Sequence, residues 1–152
     1  MSIALQMALN NQQVKALKVG RPAELVACFT WERTLEYFHH RCAFCQCKPP
    51  DGLTIDHFIP LCSPRSPGHT VYNLVPACKR CNNDKAGQEP AIWLVKRFGR
   101  GQTALNVLVR IEMYFVSLQL GLLIANGRKR TLRPPSHRVF LWNQHKKGQN
   151  PT

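Results

Sequence analysis

Two Cys-x-x-Cys pairs, Cys42/Cys45 and Cys78/Cys81, bracket a stretch that holds Asp56, His57 and Asn73, and Asn82 follows directly after the last cysteine. Residue type sorts this group into two chemistries. Four thiolates at paired spacing suit a closed tetrahedral zinc site of the structural kind. An aspartate, a histidine and two asparagines are the wrong ligands for zinc held by sulfur. They suit an oxygen-preferring divalent ion with a general base beside it. A folding metal and a working metal would share one short segment.

The spacing supports that division. A zinc ribbon ordinarily separates its cysteine pairs by about 15–20 residues. Here residues 46–77 intervene, an insert large enough to be the working part. Two matched pairs argue against ordinary core cysteines. Cys47 competes for the ion, but the matched x2 spacing favours Cys45, and His39 and His40 rank below the cysteines as ligands. Cys28 and Cys62 have no partner at metal spacing and are expected to be free thiols.

Elements must hold these groups in place. Apolar residues Ile3, Leu5, Met7, Leu9, Val14 and Leu17 fit a helix over residues 1–20, ended by Gly20-Arg21-Pro22. A second helix is predicted from Ala23 or Thr30 to about His39, with Thr30 as its cap. Pro49-Pro50-Asp51-Gly52 signals a turn, and Leu53–Ile59 alternates as a strand that Pro60 ends. Ser63–His69 reads as a loop, in which His69 is expected to be solvated. Val71–Ala77 gives a second strand and Lys79–Ala86 a short helix stopped by Gly87. Pro90 opens a helix closed by Gly99, and Ala104–Ala125 forms the longest one. The expected class is α+β, a small ββα core with a structural four-cysteine zinc site, flanked by N- and C-terminal helices. Residues 1–40 form an N-terminal helical segment, 41–88 the core, 89–125 helices packing on it, and 126–152 a basic tail.

Asp56-His57-x2-Pro60, then Asn73-Leu74-Val75-Pro76-x-Cys78-x2-Cys81-Asn82-x2-Lys85, resembles the HNH nuclease family in its zinc-stapled form. The match spans about residues 42–86. The resemblance implies a ββα-metal fold that binds one divalent ion, Mg²⁺ or Mn²⁺, and cuts DNA phosphodiesters. It further implies that His57 is the general base, that Asp56 and Asn82 hold the ion, and that Asn73 orients the histidine or its loop. On the predicted helix Lys85 shares a face with Asn82 and would lie near the bound phosphate, whereas Asp84 points away. One geometric difficulty is visible in advance. Adjacent strand residues face opposite sides, so Asp56 and His57 converge on one ion only if the strand bends or the phosphate bridges them.

Composition agrees with a polyanionic partner. Lys plus Arg number 21 against 8 Asp plus Glu in 152 residues, a formal charge of +13. No acid follows Glu112, while Arg128, Lys129, Arg130 and Arg133 accumulate beyond it as candidate DNA contacts. Trp142 in the same tail is the tryptophan expected to touch DNA, and Trp31 and Trp93 are expected in the core. Seven cysteines without a secretory signal suit a reducing compartment, so a cytoplasmic location is expected, prokaryotic or phage by resemblance alone. The stretch 104–125 is too broken by Arg110 and Glu112 to predict a membrane span. One nicking subunit and a homodimer that cuts both strands are equally compatible with the sequence. The competing class is a non-catalytic zinc-dependent DNA-binding module. It has no use for an Asp-His pair and two asparagines at these positions. An RNA nuclease ranks last, because no RNA-binding signature is present.

Overall fold

The computed structural model describes residues 3–125. Helix α1 (Ile3–Lys18) and helix α2 (Cys28–Tyr37) precede strand β1 (Thr54–His57). A 3-10 turn, Val71–Asn73, leads into strand β2 (Leu74–Ala77), followed by α3 (Lys79–Lys85), α4 (Pro90–Phe98) and α5 (Gln102–Ala125). The class is α+β, with a two-stranded antiparallel sheet among the helices. No helix among the described residues is long and apolar enough to cross a membrane.

The strands pair Thr54 with Ala77, Ile55 with Pro76, Asp56 with Val75 and His57 with Leu74. Side chains alternate across a pleated strand, so this register gives the sheet two distinct faces. Ile55 and Leu74 pack with Leu9, Val26 and Trp31 in one apolar cluster, toward α1 and α2. Val75 and Ala77 belong to a second cluster with Phe44, Phe58, Trp93, Ile111 and Phe115, toward α4 and α5. Trp31 and Trp93 are thus core residues, as expected. Phe44 meets Trp93 edge-on, with ring centroids 4.9 Å apart.

Several element ends differ from the sequence reading, each for a local reason. Helix α2 begins at Cys28 after Ala27, whose side chain makes no cap; Thr30 lies inside the helix. The second strand is shorter than read, because residues 71–73 coil into the 3-10 turn that sends the Asn73 side chain inward. Pro76 is tolerated because only β1 pairs with β2. Its carbonyl accepts from Ala43 N at 2.8 Å, which docks the first cysteine turn against the sheet. Pro90 opens α4 and Gly99 closes it, as the sequence indicated.

The connection between β1 and β2 is clamped from outside. Gly68 adopts φ +82°, and a Cβ there would collide with the carbonyl oxygen of Pro22. His69 N donates to Pro22 O at 2.9 Å, and Glu24 N donates to His69 O at 2.8 Å. Arg21 adds a hydrogen bond from Nε to Leu61 O at 3.0 Å. Gly68→Ala is expected to cost about 3 kcal/mol, from left-handed strain plus the clash. Gly52→Ala, at φ +79° with nothing within 4 Å, incurs only the strain and loses about 1 kcal/mol. Urea unfolding of the two variants measures the difference.

Candidate active site and metal centre

The sulfurs of Cys42, Cys45, Cys78 and Cys81 all lie within 4.8 Å of one another. Two tight turns bring them together. The first is braced by Gln46 N donating to Cys42 O, with Gln46 at φ +61°. The second opens α3, where Cys78 is the cap and its sulfur accepts from Cys81 N at 3.4 Å. Arg110 of α5 backs the first turn by donating to the carbonyls of Ala43 and Phe44. Cys42, Cys78 and Cys81 are buried and Cys45 is exposed.

Sulfurs this close cannot all ionise without a cation between them. The Cys42 thiol is pulled down to about 4, chiefly by a hydrogen bond from Cys81, and the same contact pushes Cys81 up. Cys47 is exposed and lies outside this cluster of four. Four convergent thiolates are a donor set of the structural zinc type. Cys28 and Cys62 are free thiols, and Cys28 Sγ donates to Gln6 Oε1 at 3.1 Å.

The second half of the site is built on β1. Asp56 and Lys85 form an ion pair in which the ammonium is fully buried. Lys85 Nζ donates to Asp56 Oδ1 at 3.3 Å and to the carbonyl of His57 at 2.8 Å. Asp56 Oδ2 lies 3.1 Å from Nζ but takes no hydrogen bond, which leaves an oxygen with a lone pair to offer. Burial raises the Asp56 carboxyl to about 6 despite the opposing pull of Lys85. Asn82 donates from Nδ2 to Thr54 Oγ1 at 2.8 Å, and that hydroxyl bonds to Ala77 O at 2.8 Å. Its amide nitrogen is therefore committed to the sheet. Lys85 differs from its expected place on a phosphate: α3 packs this face onto β1, and its charge is used behind Asp56. Asp84 points the other way, accepting from Trp93 Nε1 at 2.9 Å.

His57 lies across the strand. The register that turns Asp56 toward α3 turns His57 to the opposite face, where its Nε2 sits 3.2 Å from His69 Nδ1. Burial, followed by the charges of His69, Lys85 and Lys15, lowers His57 to about 3. The imidazole is therefore neutral at neutral pH. His69 was expected to be solvated and is instead fully buried, with burial lowering it as well. No local signal in the sequence marks this, because the backbone that seats His69, at Pro22 and Glu24, lies far away along the chain. Asn73 is fully buried and holds the loop rather than the imidazole: Oδ1 accepts from Ile59 N at 2.8 Å, and Nδ2 donates to Ile59 O and Gly68 O, both at 2.9 Å. Arg128, Lys129, Arg130, Arg133 and Trp142 lie outside the described residues.

The model for the family described as HNH endonuclease matches residues 42–88. This segment is an HNH domain. Its four-cysteine cluster places it in the zinc-binding form, and HNH domains are nuclease domains that employ a divalent metal. No curated protein and no solved structure matches the chain.

Two outcomes follow from this geometry. Cys81→Ser is expected to lose bound zinc and cooperative unfolding together, while Cys47→Ser keeps one equivalent of zinc, as read by metal analysis beside circular dichroism. Lys85→Met strands a buried carboxylate and is expected to cost about 3 kcal/mol. Adding Asp56→Asn to it should restore much of that loss in urea unfolding of the zinc-loaded protein.

Proposed function

We propose that the HNH domain is a metal-dependent DNA endonuclease or nickase, with His57 as general base and Asp56 and Asn82 as protein ligands of one catalytic divalent ion. The observation that carries this reading is the buried Asp56 carboxylate, whose Oδ2 has the Lys85 ammonium 3.1 Å away and no hydrogen bond among the described residues, one residue from an imidazole held neutral. Asn82 gives its amide nitrogen to Thr54, and that leaves its oxygen for a metal. One carboxylate and one amide oxygen suit Mg²⁺ or Mn²⁺, which keep several waters and leave room for a phosphate.

A divalent ion bound there supplies positive charge to the attacked phosphate and to the departing 3′ oxygen. The chain's own groups do the rest. His57 takes the proton of the attacking water, which its neutral form allows. Asp56 and His57 face opposite sides of β1, so the phosphate would bridge them at the strand's end. Lys85 neutralises Asp56 from behind and fixes the His57 carbonyl. Asn73 ties together Ile59 and Gly68 in the connection between the strands. Products with 5′-phosphate and 3′-hydroxyl ends follow from the HNH resemblance. The charge of +13 favours a polyanion, and Arg128, Lys129, Arg130 and Arg133 are the proposed backbone contacts.

Supercoiled plasmid incubated with Mg²⁺, Mn²⁺ or EDTA tests the proposal. Nicking or linearisation is expected only with added ion, and His57→Ala is expected to lower the rate by about 100-fold or more while retaining zinc. A plasmid left intact with every ion, together with a tight gel shift, would instead support a zinc-dependent DNA-binding module.

A further inference from the structure

On the reading of His57 as the base, we propose that His69 is its positioning residue, fixing by one imidazole–imidazole hydrogen bond which nitrogen of His57 faces the water. The His69 backbone is held at both ends by Pro22 O and Glu24 N, and Gly68 lies flush against Pro22. The residue is fully buried, which leaves the ring little freedom. It meets His57 at 63° with centroids 5.3 Å apart, and Nδ1 lies 3.2 Å from His57 Nε2.

A single proton lies between those two nitrogens, so the direction of the bond sets both tautomers. If His69 Nδ1–H donated, His57 would accept at Nε2 and carry its own proton at Nδ1. Neither nitrogen would then have a lone pair for water. If His57 Nε2–H donates, His57 Nδ1 keeps a free lone pair, and no hydrogen bond among the described residues occupies it. Only the second arrangement leaves a base. It obliges His69 to hold its proton on Nε2, the buried ring atom that has no hydrogen-bond partner among the described residues. An unsatisfied buried donor costs stability, and here that cost has a use. When His57 takes up a proton at Nδ1, its Nε2–H bond to His69 persists and becomes charge-assisted. His69 touches neither water nor phosphate in this scheme; it acts through His57.

Long-range ¹H–¹⁵N spectra of the zinc-loaded full chain read the tautomers directly, without reference to activity. Both His57 and His69 are expected to carry their proton on Nε2; a His57 proton on Nδ1 would overturn the inference. Nicking kinetics supply a second readout. His69→Leu is expected to lower kcat by about 10- to 100-fold with KM unchanged. His69→Asn, whose side-chain oxygen can stand near the place of Nδ1, should recover most of that loss. An inactive His57→Ala beside a fully active His69→Leu would overturn this inference alone. A His57→Ala variant as active as the wild type, or a wild type that cuts nothing, would overturn the base assignment and this inference with it. Should both His69 variants lose zinc, the wild-type spectrum decides.

Discussion

Four sulfurs drawn within 4.8 Å of one another impose the constraint on which the remaining geometry rests. The sheet is two strands of four residues each, which in isolation would be marginal. An ion held there would tie the turn before β1 to the first turn of α3, so that both strands lie inside a chain closed at its ends. Coordination would then remove chain entropy that a larger apolar core would otherwise have to offset. The knuckle is also tied to its surroundings. Ala43 bonds to Pro76 of β2 and Arg110 of α5 caps the turn's carbonyls. The helices after the domain thus steady the metal ligands from outside.

Closing the sheet this way makes it a partition. Asp56 and His57 are adjacent in sequence yet belong to different sides, and each side supplies its own partner. Lys85 comes from α3 and His69 from the connecting loop. Both partners are fully buried, and both act on strand residues that are themselves nearly so. The register of β1 with β2 is regular, so Asp56 and His57 stay on opposite faces, each held in its own environment. One carboxylate is made harder to ionise and one imidazole harder to protonate by the same physical cause, loss of water.

Much of this was legible from the chain. Cysteine spacing marked the metal cluster because thiolate coordination demands paired short turns. The punctuation at Pro90 and Gly99 marked α4, and the alternation around Asp56 marked β1. What could not be read was the depth of individual polar residues. Lys85 looks like a surface lysine on a short helix, and only the docking of α3 onto β1 sends it inward. His69 follows a Ser/Pro/Gly-rich stretch that resembles an exposed loop, and it is buried because residues 20–24 reach across from far away in sequence. Long-range contacts of that kind leave no periodicity. The Thr30 cap failed for a related reason: α2 starts where Cys28 finds Gln6, not where a hydroxyl is available.

The Pro22 contact at Gly68 bears on modularity. The family match begins at residue 42, yet the strap that sets the His69 backbone lies twenty residues earlier by the numbering of its Pro22 carbonyl. The portable unit is therefore larger than the recognisable one. Anyone transplanting residues 42–88 into a different scaffold would carry over the sulfurs, the carboxylate and the imidazole, but would leave behind the piece of backbone against which the loop is seated.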